Sequence, residues 1–299
     1  MWWLVARART RYTLPWADHP RAADVGASSS AVSTTPYRIA FLTDLHGNLH
    51  GLEAVLADIR REAPDLILVG GDLTFKFPYP RETLELLDTI EHRAVAGNTD
   101  RYVTAWATPA SWPHWLPGDG ARHAQWTRAQ IGEDWAARIA ALPGEIALTV
   151  AGASGGAGDV LLFHGVPGNP FIGIHHPPGP ANLHPQWAMP DAALDRHLAG
   201  VRAPLLLAGH THVPLVRHWR ESTIVNPGAV AHLWRPTPDP HLARYALLTY
   251  RPGNDWAIDL RAVPYDNAAA IRGLLAIEAH NPLAGRVAEM IAAPVGGRA

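Results

Sequence analysis

The sequence contains no cysteine among its 299 residues. The fold therefore has no disulfide bond, and metal sites built from thiolates, such as zinc fingers, are excluded. Any metal ion must be bound by histidine, aspartate, glutamate or asparagine side chains. Nitrogen and oxygen ligands of this kind suit divalent manganese, iron, nickel or zinc.

The sequence also lacks a long apolar run and an excess of positive charge. No stretch of 18 or more consecutive apolar residues occurs, so we expect no membrane-spanning helix. The formal net charge is -2, whereas a protein that binds nucleic acids in general is usually basic. We therefore expect a soluble, cytoplasmic protein without membrane partners or general nucleic-acid binding.

The chain is long enough for one large domain with extensions. Residues 1–36 include a small-polar segment without hydrophobic periodicity, which predicts a flexible N-terminal extension. Alternating strand and helix patterns over residues 37–265 predict the main domain. The helical pattern of residues 266–299 predicts a C-terminal extension packed on that domain.

One segment within the main domain, from about residue 102 to 142, interrupts the alternation and contains five tryptophans. Its later part predicts an amphipathic helix over 124–142. We interpret the segment as an insertion that covers one side of the site or forms an oligomer interface. Ordinary packing of the aromatic rings is the alternative, because aromatic side chains serve mostly to bury area.

The stretch from Ile39 to Asn48 links a predicted strand to a predicted helix through a polar loop. An apolar run with β-forming residues ends at Asp44, and His46 follows before a Gly-Asn turn. In open α/β sheets, ligands bind just beyond the carboxyl ends of the strands. Asp44 and His46 are therefore candidate ligands of a cation.

Four later predicted strands are also followed by side chains that can bind metals, most of them next to a glycine. These side chains are Asp72, Asn98, His164, and the pair His210 and His212. Seven nitrogen and oxygen donors exceed the four ligands of a tetrahedral site and suit two cations that share a bridging carboxylate. Two such cations can bind a phosphoryl oxygen and generate a hydroxide at neutral pH, which predicts phosphoester hydrolysis.

Five ordered motifs resemble those of the calcineurin-like metallophosphoesterase family. They are Asp44-x-His46, Gly70-Gly71-Asp72, Gly97-Asn98, His164-Gly165 and Gly209-His210-x-His212. The resemblance covers roughly residues 37–265. It implies an α/β fold, a four-layer αββα sandwich of two mixed sheets with a binuclear metal site at the carboxyl ends of the strands.

The resemblance also implies a role for each ligand candidate. One metal ion would be bound by Asp44, His46 and His212, the other by Asn98, His164 and His210, with Asp72 as the bridge. A catalytic role would fall to Asp44, Asp72, Asn98 and His210. The implied reaction is attack of a metal-bound hydroxide on phosphorus.

Residue 99 departs from the pattern of many family members. Those members have a histidine after Gly-Asn that assists the leaving group, whereas this chain has Thr99, whose hydroxyl cannot act as a general acid near neutral pH. The small bacterial phosphodiesterase branch of the family also lacks this histidine. We therefore predict a phosphodiesterase for a small phosphorylated substrate. It would use two divalent ions, manganese first, with iron, nickel or zinc as alternatives.

Four further residues are candidates for substrate binding, namely Asn48, Arg101, His175 and His176. Asn48 is a candidate hydrogen-bonding partner of phosphate or of a ligand carboxylate, and Arg101 a candidate phosphate clamp. His175 and His176 are expected to line the substrate mouth. For all four, the alternative is a solvated loop residue.

The sequence leaves three other functions open. They are phosphomonoester hydrolysis, hydrolysis of nucleotides or dinucleoside polyphosphates, and a non-catalytic scaffold with the same fold. A homo-oligomer is also open.

Overall fold

The computed structural model describes residues 36–105, 118–150, 160–179, 187–231, 241–251, 256–281 and 283–292. The elements over these residues are, in chain order, β1 (Tyr37–Leu42), α1 (Leu49–Glu62), β2 (Leu66–Val69), α2 (Pro80–Leu87), β3 (Arg93–Ala94), α3 (Asn98–Ala105), α4 (Gly118–Ala140), β4 (Glu145–Leu148), β5 (Val160–Phe163), α5 (Asp191–His197), β6 (Leu205–Leu207), β7 (Leu215–Trp219), β8 (Ser222–Asn226), β9 (Leu242–Tyr250), β10 (Ala257–Pro264), α6 (Asn267–Ile277) and α7 (Ala284–Ala292). The predicted N-terminal extension lies, apart from residue 36, outside the described residues.

The described strands form two mixed sheets of five strands each. The first has the order β10-β9-β1-β2-β3, in which β1, β2 and β3 are parallel and β9 and β10 antiparallel. The second has the order β4-β5-β6-β8-β7, with β5, β6 and β8 parallel. The predicted pair of mixed sheets is confirmed.

Alternation along β1 separates the layers. Ile39 and Phe41 are buried between the sheets, in a core that includes residues of β5, β6 and β8. Ala40 and Leu42 point the other way, into a core shared with α1, α2 and α4. A third core joins the outer face of the second sheet to α5. Because successive strand side chains face opposite sides, these cores give the four layers α, β, β and α that the resemblance implies.

The tryptophan-rich segment is helical over much of its described part. α4 deviates from helical geometry at Gly132, whose φ is 79°. Its residues Ile131, Trp135 and Ile139 are buried in the core that also contains α1. This packing favours ordinary burial for Trp135 over a role at an interface. Residues 106–117, with three of the five tryptophans, lie outside the described part of the chain.

Two elements are missing from the sequence-based predictions. The first is α3, which begins at Asn98 and so starts within the Gly97-Asn98 motif. β7 alternates buried and exposed residues, with Leu215, Arg217 and Trp219 inward. This alternation predicts a strand, but the charge of Arg217 at an inward position obscures the hydrophobic pattern in the sequence.

The two C-terminal helices share a small apolar core. Leu274 of α6 and Val287 and Ile291 of α7 pack with Phe77 and Ala231 of the main domain. Phe77 lies in the loop between β2 and α2, so the helices contact a segment that begins at the candidate ligand Asp72. Among the described residues, no helix is long and apolar enough to cross a membrane.

His123 of α4 connects three parts of this architecture. Its Nδ1 lies 2.6 Å from Oδ1 of Asn281, between α6 and α7, and its Nε2 accepts the backbone N–H of Lys76 at 2.7 Å. These contacts assign the proton of a neutral imidazole to Nδ1. The side chain is fully buried, and this burial lowers the pKa of His123 to about 4.

We expect acid to destabilise the fold through His123. The unfolded chain holds this histidine at a pKa of about 6.5, so between pH 6.5 and 4 it binds more protons than the folded chain. The contribution is present above that window and falls by about 2 kcal/mol by pH 5. Urea unfolding of the wild type and of His123→Gln, at pH 7.5 and pH 5, measures it. The stability difference between the two proteins should shrink at pH 5, and a constant difference would contradict a neutral buried imidazole.

Candidate metal centre

Strained backbone marks the loops that carry most of the ligand candidates. The residues with positive φ include Asp44 (55°), His46 (50°), Asp72 (55°), His210 (68°) and His212 (58°). Residues with a Cβ rarely adopt this region of backbone conformation, and each one that does costs the fold about 1–3 kcal/mol of stability. The conformations persist only because surrounding contacts enforce them.

Backbone hydrogen bonds join the loops after β1 and β2. Asp44 N–H donates to the Gly71 carbonyl (3.0 Å), His46 N–H to the Asp72 carbonyl (2.8 Å) and Gly47 N–H to the carbonyl of the residue after Asp72 (2.9 Å). The pairing of the two parallel strands thus continues beyond their ends. This continuation brings the carboxylates of Asp44 and Asp72 together.

Four buried side chains form a compact group of metal-binding atoms: Asp44, His46, Asp72 and His212, each with one atom within 4.8 Å of the others. His212 Nε2 lies 3.0 Å from His46 Nε2 and 3.2 Å from Asp44 Oδ1. His46 Nε2 lies 3.5 Å from Asp72 Oδ2. Asp44 Oδ1 is buried and has no hydrogen-bond partner within the described residues. Two imidazole nitrogens that face each other beside a carboxylate oxygen without a partner fit a divalent cation.

The remaining three candidates form a second group, which His164 joins to the other carboxylate oxygen of Asp72. His164 Nε2 lies 3.5 Å from Asp72 Oδ1 and 3.0 Å from Asn98 Oδ1. His210 Nδ1 lies 2.8 Å from the same Asn98 oxygen. All seven side chains predicted from the sequence therefore lie together, in two groups that share Asp72. The second group could hold a further cation.

Two buried carboxylates dominate the charge of the site. Burial raises the pKa of Asp72, but His164 and His46 outweigh it, and the pKa lies well below its usual value. Burial lowers the pKa of His164, but Asp72 and Asp44 raise it to about 9. Burial and the charge of His164 lower the pKa of His210 to about 3. The carboxylates thus attract positive charge to the centre, which a divalent cation would supply.

Two side chains that are not candidate metal ligands, Asp100 and Asn226, hold the loops that carry the ligands. Asp100 Oδ2 accepts the backbone N–H groups of Asp72 and Gly97 (both 2.8 Å), and its Oδ1 accepts that of Leu73 (2.9 Å). Burial and the charge of Asp72 raise the pKa of Asp100 to about 6. Asn226 Nδ2 donates to the Gly209 carbonyl at 2.7 Å. Through these contacts Asp100 and Asn226 position the loops that carry the candidate ligands.

Two motif glycines permit close approach of the loops. A Cβ at Gly97 would lie 2.1 Å from Asp72 Oδ1, and one at Gly209 would lie 2.2 Å from Thr43 Oγ1 and 2.8 Å from Asp44 Oδ2. Real Cβ atoms are not found at such distances, so any larger residue would displace a ligand carboxylate.

Asn48 caps the helix α1. Its Oδ1 accepts the backbone N–H of Gly51 (3.1 Å) and so caps α1, while its Nδ2 donates to the Val230 carbonyl (3.1 Å). The side chain is buried. Its amide is therefore used within the fold as a helix cap, and a contact of Asn48 with substrate stays a prediction.

The other three candidates for substrate binding differ in position. His175 lies near the candidate ligand His210. A Cβ atom added to Gly173 would lie 3.4 Å from Nε2 of His175 and 2.9 Å from Cδ2 of His210, so both rings approach the same point. His176 Nε2 is 3.0 Å from the Pro214 carbonyl, which fixes its ring. Arg101 is exposed on α3, and its contact with phosphate stays a prediction.

Arg217 is a residue of the site region that the sequence-based predictions miss. Its guanidinium donates to the carbonyls of His175 (2.7 Å) and Met189 (2.8 Å) and pairs with Asp191 (2.6 Å). It thereby fixes the loop that carries His175. An arginine at an inward position of an alternating strand was the available signal.

Comparisons with known proteins agree with this geometry. The family model of the calcineurin-like phosphoesterases matches residues 37–214. The crystal structure of a metallophosphoesterase from Sphaerobacter thermophilus has 25% sequence identity and a TM-score of 0.63, covering 86% of this chain and 98% of that one. A hypothetical protein from Pyrococcus horikoshii OT3 has the same fold, with 20% identity, a TM-score of 0.64, and coverage of 88% and 100%. An uncharacterised protein from Methanocaldococcus jannaschii is 25% identical over 243 residues, which are 76% of this chain and 88% of that protein.

We expect Asp100→Ala to weaken metal binding about ten- to one-hundredfold, because outer contacts that orient ligands contribute on this scale. Calorimetric titration of metal-stripped protein with a divalent cation measures the change. Asp134→Ala is the matched control, since Asp134 is exposed on α4. Equal affinity in Asp100→Ala and the wild type would contradict the role of Asp100.

Proposed function

The chain belongs to the calcineurin-like phosphoesterase family, and we propose that it is a phosphodiesterase that works with two divalent cations. The observation that carries the proposal is that seven side chains with nitrogen and oxygen donors lie together in two groups that share Asp72. In this proposal the first cation is held by Asp44, His46 and His212, the second by Asn98, His164 and His210, and both by Asp72. Two cations would supply a water nucleophile at neutral pH and positive charge beside the phosphoryl oxygens.

The side chains around the donors would keep this arrangement rigid. Thr43 Oγ1 and the His210 backbone N–H both donate to Asp44 Oδ2, at 2.9 and 3.0 Å, so Oδ1 is left for a cation. His164 Nδ1 lies 2.6 Å from the Gly70 carbonyl, which directs Nε2 to the centre. His210 is the most accessible of the donors, which supports substrate entry from its side.

Thr99 supports a preference for diesters. It stands where many family members have a histidine, and its backbone N–H donates to Asp72 Oδ1 at 2.8 Å. Its Oγ1 is buried without a partner in the described part of the chain. No imidazole can protonate a leaving group from this position, so the proposal favours diesters whose leaving group departs easily. A non-catalytic scaffold would need none of the seven donors.

Hydrolysis of bis-p-nitrophenyl phosphate and of p-nitrophenyl phosphate tests the activity. The protein is stripped of metal and resupplied with manganese, iron, nickel or zinc in turn. We expect faster turnover of the diester than of the monoester, and turnover only after metal is restored. Manganese should give the fastest turnover, since the proposal is a manganese enzyme of the cytoplasm. Faster turnover of the monoester would contradict the argument from Thr99. Metal-independent turnover, or none of either ester, would contradict the proposed reaction.

Asp72→Ala tests the shared carboxylate. We expect the variant to lose both metal ions and at least about a thousandfold in turnover, because it removes the ligand common to both groups and the charge that organises them. Elemental analysis after dialysis gives the number of ions per chain. Asp134→Ala should retain two. Full activity, or one tightly held ion, in Asp72→Ala would contradict the bridging role.

A further inference from the structure

Lys76 is the only lysine in the sequence, and every other residue among the 25 lysines and arginines is an arginine. It lies in the loop between β2 and α2, four residues after Asp72. Lysine differs from arginine in presenting a compact, mobile point charge in place of a planar fork. The position of this one ammonium group is therefore informative.

The backbone of Lys76 is strained without an evident local reason. Its φ is 103°, outside the regions that residues with a Cβ favour. Apart from five of the ligand candidates, the described non-glycine residues with positive φ are Ala63, Lys76 and Arg220. Ala63 caps α1, and Arg220 lies in the turn between β7 and β8. Lys76 neither caps a helix nor lies in a turn between paired strands, and it has a positive φ, as five of the candidate ligands do.

Contacts on both sides enforce this conformation. The backbone N–H of Lys76 donates to His123 Nε2 at 2.7 Å, and that of Phe77 donates to the His46 carbonyl at 2.8 Å. Phe77 is fully buried. The loop is thus fixed between α4 and the ligand His46, and the strain stays in place because relaxing it would break buried contacts.

The side chain stands within electrostatic reach of the metal centre. Burial lowers the pKa of Lys76, and the negative charges of Asp72 and Asp44 oppose this shift. Burial is also the main cause that lowers the pKa of His46, and the positive charge of Lys76 is the next. Yet the ammonium makes no hydrogen bond or ion pair with any of the described residues. It is therefore not the contact counterion of either carboxylate. The residue is partly exposed, and its ammonium is not among the fully buried polar atoms that lack a partner, so a small anion from solvent can reach it.

We propose that Lys76 binds a phosphoryl oxygen of the substrate beside the metal centre and thereby sets the affinity for anionic phosphoesters. The inference rests on the proposed function, in which the substrate phosphate binds at that centre. A lysine ammonium binds phosphate as a point charge. A strained loop that is fixed on both sides holds the charge in position before substrate arrives, which reduces the entropy lost on binding.

A spectroscopic experiment tests the contact directly, because the full chain has one lysine. Reductive methylation with ¹³C-formaldehyde labels the amino terminus and Lys76 and keeps the positive charge. The signal lost in Lys76→Arg identifies the lysine. Inorganic phosphate is then titrated into zinc-loaded protein, because zinc is diamagnetic. We expect a saturable shift of the Lys76 signal and no shift of the amino-terminal signal.

Kinetics of diester hydrolysis give the second readout. Lys76→Gln should raise KM about ten- to one-hundredfold, the range expected for a hydrogen bond to a charged group, with a smaller change in kcat. Lys76→Arg should retain most of the affinity. Arg81→Gln is the matched control for loss of a nearby positive charge, since Arg81 is exposed and pairs with Glu85 on α2. Thermal unfolding and metal content are compared for each variant.

The outcomes separate this inference from the proposed function. A Lys76 signal that does not move, while phosphate inhibits hydrolysis competitively, overturns the role of Lys76 and leaves the phosphodiesterase intact. A folded Lys76→Gln with unchanged KM also overturns it. A saturable shift in protein that hydrolyses no phosphoester supports the anion contact and contradicts the proposed reaction. If Lys76→Gln does not fold, the spectroscopic titration of the wild type decides.

Discussion

The buried carboxylate of Asp72 is the group on which the rest of the site depends. An ionised carboxylate removed from water is costly unless other groups compensate its charge and satisfy its oxygens. Here His46 and His164 face its two oxygens, and the Thr99 backbone N–H donates to one of them. Asp100 holds the backbone at the same point. The side chains that make this burial tolerable are also the candidate ligands of a cation, so the same contacts would serve the stability of the fold and the chemistry of the site.

The two sheets provide the rigidity that such a cluster needs. Apolar cores on both faces of β1 and between the sheets fix the strands, and the strand ends fix the loops. Strained conformations at five ligand candidates and at Lys76 are then enforced by packing and backbone hydrogen bonds. Because a packed core does not deform continuously, the donors are held at distances that flexible loops could not maintain.

The loop from Asp72 to α2 links this centre to the rest of the molecule. It begins at the shared carboxylate, contacts His123 through Lys76, and reaches the core of α6 and α7 through Phe77. The helix α4 and the C-terminal helices thus stabilise a segment beside the site. Their contribution to function would be to fix the loop, since none of them supplies a candidate ligand.

The sequence by itself determined the candidate ligands and their order, because each follows a short apolar strand whose pattern is local, and the layered fold followed from the resemblance of five motifs to a known family. Asp44, His46, Asp72 and the later histidines could be placed at strand ends from spacing alone. The tertiary structure decided what depends on contacts between distant residues. It assigned Asn48 to capping, showed α3 and β7, and placed Arg217 behind the loop of His175. It also brought His123 to Lys76 across 47 positions of sequence. No local sequence pattern predicts this contact, because it forms only when separate layers of the fold pack together.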